Sequence, residues 1–204
     1  MKNLIITQAV KEDLPTILDV QMKAFMEVAR IFHLKTMPQI EQTLESITDE
    51  FDKWLFLNAS IAFKAKPTSF RTYVRNLTVL NILKSGFLVS LRNDKKKIKA
   101  PPPRQNDEDK IKIVGSVRAY SKDGTCYIHR LVVLPEYQNN GIGKALMAEV
   151  EKRFRSQVTR YELFTGSQDH RNLYLYNQLG YNAFKTEKHN NEISFVYLEK
   201  NIKD

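Results

Sequence analysis

The sequence predicts a mixed α/β (α+β) fold, a mostly antiparallel central sheet flanked by helices and interrupted by one basic insertion. Three observations predict it. Over Tyr127–Phe154, YIHRLVVLPEYQNNGIGKALMAEVEKRF, an apolar β-branched strand runs into a proline stop, a glycine turn and an amphipathic helix. Strand-like segments before it are joined through Asp123-Gly124, a strong hairpin signal. Between Ala62 and Asn106, eleven Lys and Arg stand against one acid, Asp94. That segment carries +10 of a total +9, which leaves the rest of the chain at −1.

The elements follow in order. Leu4 to Thr7 reads as a first strand. Glu12 and Asp13 then open a long helix with apolar positions Leu14, Ile17, Leu18, Phe25, Val28 and Phe32. Pro38 to Ile47 reads as a second helix with a proline in its first turn. Trp54 to Ile61 reads as a strand. Thr68 to Lys84 has helical spacing and stops at Gly86, and Phe87 to Leu91 is strand-like. Asn93 to Lys110, with a lysine run and three prolines, has the composition of a loop. Ile111–Tyr120 and Cys126–Leu134 are the hairpin strands, and Pro135 ends the second because proline offers no amide to a ladder. From Ile142 the apolar residues recur at Leu146, Val150 and Phe154, one face of a helix. A strand at Tyr161–Thr165, a short helix at Asn172–Leu179 ended by Gly180, and strands near Tyr181–Thr186 and Ile193–Leu198 close the chain.

Composition narrows the class. The 204 residues, 42% hydrophobic and 27% charged, suffice for one domain with a real core, so 1–204 is read as a single domain with an atypical insertion at about 62–106. A single cysteine, Cys126, rules out an internal disulfide framework and a cysteine-based metal site, and reads as a small buried residue. The four histidines, His33, His129, His170 and His189, show no metal-ligand spacing, so no metal is expected. The first fifteen residues hold too short an apolar run for a secretory signal, and no segment approaches a charge-free transmembrane length. The expected location is cytoplasmic.

The glycine turn carries the chemistry. Gln138-x-x-Gly141-x-Gly143 stands where a helix begins, with several backbone N–H groups lacking partners and the positive end of the helix dipole beside them. Such a turn holds an anion, and glycine lets a diphosphate approach the backbone. Joined to LVVLP at 131–135 and LYNQLGY at 175–181, the pattern resembles the GCN5-related N-acetyltransferase (GNAT) family. The element order also resembles the family's from Met1 to about Glu50 and from Ile111 to Asp204, whereas Ala62–Asn106 departs from it.

The resemblance implies an N-acetyltransferase using acetyl-coenzyme A (acetyl-CoA) as co-substrate. It implies that the backbone of Leu131, Val132 and Val133 pairs with the pantetheine arm, and that Gln138, Asn139, Asn140, Gly141, Ile142, Gly143 and Lys144 cradle the pyrophosphate. The strands containing Val132 and Phe164 would splay to admit the cofactor. Asn172 would touch the cofactor or orient Tyr176, with Asp169 nearer the family's asparagine position. Tyr176 stands at the family's general-acid position. A phenol with pKa ~10 is able to protonate a thiolate whose acid is near ~8.5. A backbone N–H of Val132 or Val133 would polarise the thioester carbonyl. For the base three readings stand: His129, Glu162 (which also reads as a partner of Arg160), or a water chain.

The acceptor is an amine of a small molecule or a protein, unidentified by any motif. No membrane partner or nucleic acid is expected, and an edge strand offers a route to a homodimer. The rival reading is a non-catalytic binding module on the same fold, using the basic segment for an acidic partner or nucleic acid. Another acyl-CoA as donor is a third. The insertion itself reads as a solvated addition, as a cover for the acceptor site, or as a polyanion-binding segment.

Overall fold

The computed structural model describes residues 3–31, 37, 39–63, 110–189 and 193–202. The expectations for Phe32, Pro38, Thr68–Lys84 and Phe87–Leu91, and for almost all of Asn93–Lys110, lie outside the described residues. The chain divides into two units, Met1–Ile61 with Lys112–Asp204, and Ala62–Ile111. The first unit holds the central sheet and its helices.

Seven strands form one sheet in the order β1-β2-β3-β4-β5-β7-β6: β1 Leu4–Gln8, β2 Leu55–Phe63, β3 Lys110–Lys122, β4 Thr125–Val133, β5 Arg160–Gly166, β6 Asn182–Lys188 and β7 Ser194–Asn201. β1–β2, β3–β4, β5–β7 and β6–β7 are antiparallel, and β4–β5 is parallel. The parallel pair is the one joined by a helical crossover, α3 Ile142–Phe154, as its geometry demands. The other α-helices among the described residues are α1 Leu14–Ile31, α2 Leu44–Phe51 and α4 His170–Gln178.

The sequence pattern explains these elements. α3 buries Ile142, Leu146, Met147, Val150 and Phe154, the predicted stripe plus one methionine. Against it lie Cys126, Ile128 and Val132 of β4 and Tyr161 and Leu163 of β5, in the larger of two apolar clusters. α1 buries Leu14, Ile17, Val20, Gln21 and Ala24. A smaller cluster joins Leu14 and Ile17 to Ile47 and Phe56. The β3–β4 hairpin turns through Asp123 (φ 49°) and Gly124 (φ 74°), two left-handed residues in succession as a tight hairpin requires.

The second helix begins later than Pro38. It starts at Leu44, where the Thr43 side chain caps it by accepting from the Ser46 N–H at 3.2 Å. Residues 39–42 are diverted to a buried polar centre instead: the Gln39 carbonyl accepts from Gln21 Nε2 at 2.7 Å, and Gln42 Oε1 accepts from Arg118 at 3.0 Å. α4 starts two residues earlier than the Asn172 expectation because Asp169 is its N-cap. It ends in a Schellman motif, with Tyr181 N–H on the Tyr176 carbonyl and Gly180 N–H on the Asn177 carbonyl, both 3.0 Å.

Candidate active site

β4 and β5 pair only over Thr125–Tyr127 with Arg160–Glu162, although β4 runs to Val133 and β5 to Gly166. Past that point the two strands share no ladder bond. Each keeps its other neighbour, since β3 pairs with β4 as far as Val133 and β7 with β5 as far as Gly166. The result is an opening between two strands held firmly from outside, bordered by Leu131, Val132 and Val133, which pair with no residue of β5. A bulge in β4 marks its start: Ser116 pairs with Val132 and Arg118 with His129, leaving an extra residue near Arg130, whose φ is 53°.

The gap ends at the glycine turn. Leu134 N–H donates to the Val114 carbonyl at 2.9 Å, and Gln138 Nε2 donates to the Val133 carbonyl at 2.9 Å, so the turn is fastened to the end of β4. Asn139 (φ 61°) and Gly141 (φ 78°) are both left-handed, which swings successive N–H groups to one side. Asn140 braces the turn through the carbonyls of Tyr137 and Gln138. The first α-helical bond of α3 is made by Ala145 N–H to the Gly141 carbonyl, at 3.0 Å. The N–H groups of Ile142, Gly143 and Lys144 therefore precede the ladder, at the positive end of the helix. The two glycines differ in their reason. Gly141 has open space where a Cβ would go but holds a left-handed φ, whereas a Cβ on Gly143 would meet Leu175 Cδ2 of α4 at 3.4 Å.

α4 closes the other side. Asp169 accepts from the Asn172 N–H at 3.1 Å and from Asn172 Nδ2 at 2.7 Å, so the Asn172 side chain is held inside the first turn. Arg171, which sequence reasoning passed over, donates to Gln138 Oε1 and links α4 to the glycine turn. One turn on from Arg171, Leu175 meets Gly143. Tyr176 is buried, 6.1 Å ring-to-ring from Tyr181. Burial, and then the negative charge of Asp169, push its phenol well above the ordinary tyrosine value, so it carries its proton throughout the neutral range.

Of the candidate bases, Glu162 is ion-paired with Arg160, which also holds Glu199 at 2.7 Å. His129 stacks on Trp54 (5.2 Å) and Tyr120 (5.6 Å) and meets Phe164 edge-on at 5.9 Å. Its Nε2 is buried without a hydrogen-bond partner. Burial, helped by the charge of Arg130, pushes its pKa down to about 4. A histidine so placed makes stability depend on pH with a definite sign. Between its ordinary 6.5 and about 4 the unfolded chain takes up a proton that the folded chain refuses. Stability is thus complete above pH 6.5 and is lost as pH falls through that window, by roughly 3 kcal/mol at most. Urea midpoints of the wild type at pH 7 and pH 4.5 will show the loss, and His129→Phe will flatten it.

Sequence reasoning also passed over Arg118, the one charged side chain in the apolar middle of β3 and fully buried. It donates to Glu50 at 2.5 Å, Gln21 at 2.5 Å and Gln42 at 3.0 Å. Its signal was visible as an arginine among Val114, Val117 and Ala119. Cys126 is buried, with its thiol pushed up to about 12 by burial, and is inert as a nucleophile. Among the described residues no group of three or more His, Cys, Asp or Glu is placed to hold a metal ion, and no helix is long and apolar enough to cross a membrane.

The fold is shared with known proteins. Residues 90–181, a little under half of the chain, match the acetyltransferase (GNAT) family model. Among solved structures, the PaiA N-acetyltransferase of Thermoplasma acidophilum in complex with coenzyme A is 16% identical with a TM-score of 0.61, over 98% of this chain and 99% of its own. The ribosomal-protein-S18-alanine N-acetyltransferase of Escherichia coli is 12% identical with a TM-score of 0.60, over 98% and 95%. A GNAT family acetyltransferase of Elizabethkingia anophelis with acetyl-CoA bound is 16% identical with a TM-score of 0.57, over 99% and 100%. No curated protein sequence matches this chain. Residues 90–181 thus match the GNAT family model, and the fold is that of the solved GNAT structures.

Proposed function

We propose that the chain is an N-acetyltransferase that moves the acetyl group of acetyl-CoA directly onto a primary amine. The observation that carries this reading is the junction of the β4–β5 opening with the glycine turn. A thioester's pantetheine arm would lie along Leu131–Val133, the stretch of β4 that has no β5 partner. Its pyrophosphate would meet the N–H groups from Gln138 to Lys144, with Lys144 and Arg171 supplying positive charge at the rim. The coenzyme bound in similar structures supports the assignment.

The reaction needs few groups. The lone pair of a neutral amine attacks the thioester carbon, helped by a backbone N–H of Val132 or Val133 at the developing oxyanion. The C–S bond breaks with its electron pair on sulfur, and Tyr176 gives its proton to that sulfur as the bond parts. The new amide nitrogen sheds one proton to water, and the phenol is restored from solvent. Water is the acceptor in this reading because Glu162 is engaged by Arg160 and His129 binds a proton weakly. Holding the two reactants together supplies much of the rate.

The test is direct. Calorimetry with acetyl-CoA measures donor binding, and release of free thiol on adding amines measures transfer. Tyr176→Phe should leave the acetyl-CoA Kd unchanged and lower kcat by about 100-fold, a usual contribution for a proton donor. Unaltered kcat would remove Tyr176 as the acid and leave the donor assignment standing.

A further inference from the structure

We propose that the acceptor is an amine carried on an aromatic group, an arylalkylamine, seated on a band of rings that crosses the sheet into the β4–β5 opening. The inference rests on the acetyltransferase reading and adds the substrate class. Ring contacts run without a break from Trp54 to Tyr120 (4.8 Å), Tyr120 to His129 (5.6 Å) and His129 to Phe164 (5.9 Å). They continue from Phe164 to Phe195 (5.3 Å) and Tyr197 (5.5 Å). Strand alternation explains the alignment: Phe164 faces Tyr197 across the β5–β7 ladder, and Gly166, with no side chain, faces Phe195. The other face of β5 carries Tyr161 and Leu163 into the core under α3.

Two features say what sits on the band. It is continuous with the proposed reaction centre, because the His129–Phe164 contact spans β4 and β5 where their ladder has ended. A ring resting on Phe164, which is 37% exposed, brings an amine one or two carbons away to the mouth of the opening. Among the described residues, three carboxylates beside the band are ion-paired. Glu162 and Glu199 are both held by Arg160, and Glu187 by Lys185 at 2.8 Å. A polyamine or a lysine-rich peptide would have to break these pairs to find a carboxylate, whereas an aromatic ring finds offset and edge-on partners at no such cost. His129, kept neutral, acts here as one more ring and not as a charge.

Thiol release from acetyl-CoA with 2-phenylethylamine, hexylamine and spermidine as acceptors tests this. The aryl amine should show kcat/KM about tenfold or more above the other two. Phe195→Leu keeps an apolar side chain and removes a ring. It should lower kcat/KM for 2-phenylethylamine about three- to tenfold and for hexylamine less than about twofold. Spermidine or hexylamine matching the aryl amine would overturn the proposal. So would equal losses for both monoamines in Phe195→Leu, or acetyl-CoA binding with none of the three acetylated. If acetyl-CoA itself fails to bind, the acetyltransferase reading falls, and the acceptor class with it.

Discussion

Gly141→Glu will reduce acetyl-CoA affinity by at least about 100-fold, or roughly 2.7 kcal/mol. Two costs act together. Gly141 sits at φ 78°, where an L-residue pays about 1–2 kcal/mol. A carboxylate placed about 4 Å from a pyrophosphate, at an effective dielectric near 20, is repelled by about 4 kcal/mol per charge pair. Crowding against the protein contributes nothing, because a Cβ at this position meets no protein atom within 4 Å. Gly141→Asn is therefore the informative partner. Asparagine tolerates the left-handed region and adds no charge, so it should retain binding within about tenfold. Calorimetry on both variants, with melting temperatures to verify folding, separates charge from conformation. Unchanged affinity in Gly141→Glu would remove the turn as the phosphate site.

The site divides into parts that local sequence states and parts that only the fold assembles. The turn was legible because its determinants are local: a strand ended by Pro135, left-handed positions and an amphipathic stripe lie within one continuous stretch. α3 and the Asp123-Gly124 hairpin were legible for the same reason. The second helix was misplaced because its start is set by distant partners. Arg118, on a strand in the second half of the chain, draws Gln42 and the residues around it into a buried network, which leaves Thr43 to begin the helix. The aromatic band is likewise invisible in sequence, since its rings come from five separate segments and meet only through strand register. Arg171 was missed because nothing in LYNQLGY points to it. Its contact with Gln138 follows from α4 lying on Gly143.

Arg118→Ala will destabilise the fold by about 3–5 kcal/mol, the usual cost of removing one partner from a buried ion pair. The guanidinium is fully buried and stands 4.8 Å over the Phe56 ring. Burial pushes its pKa down to about 10 against the opposing pull of Glu50, so it stays charged at neutral pH. Its deletion leaves Glu50, with a side chain 23% exposed, without its cation, and leaves the Gln21 carbonyl oxygen in a fully buried site without its donor. Against a total stability of about 5–15 kcal/mol that loss is severe. Urea unfolding measures it, and a loss under about 1 kcal/mol would show that the network is replaceable. Arg118→Met combined with Glu50→Leu supplies the contrast. It removes both charges and fills the space with apolar atoms, so it should recover at least half of the loss. Among the described residues the Arg118 guanidinium contacts Gln21 of α1, Gln42, Glu50 of α2 and Phe56 of β2, none of them in the glycine turn or α4. In the double variant, acetyl-CoA affinity should consequently stay within about twofold of the wild type, as for independent sites. The acceptor KM should rise, because Glu50 is followed closely by Trp54, where the aromatic band begins. A parallel fall in donor affinity would instead mean that the buried arginine supports the whole sheet and does not selectively hold the acceptor side.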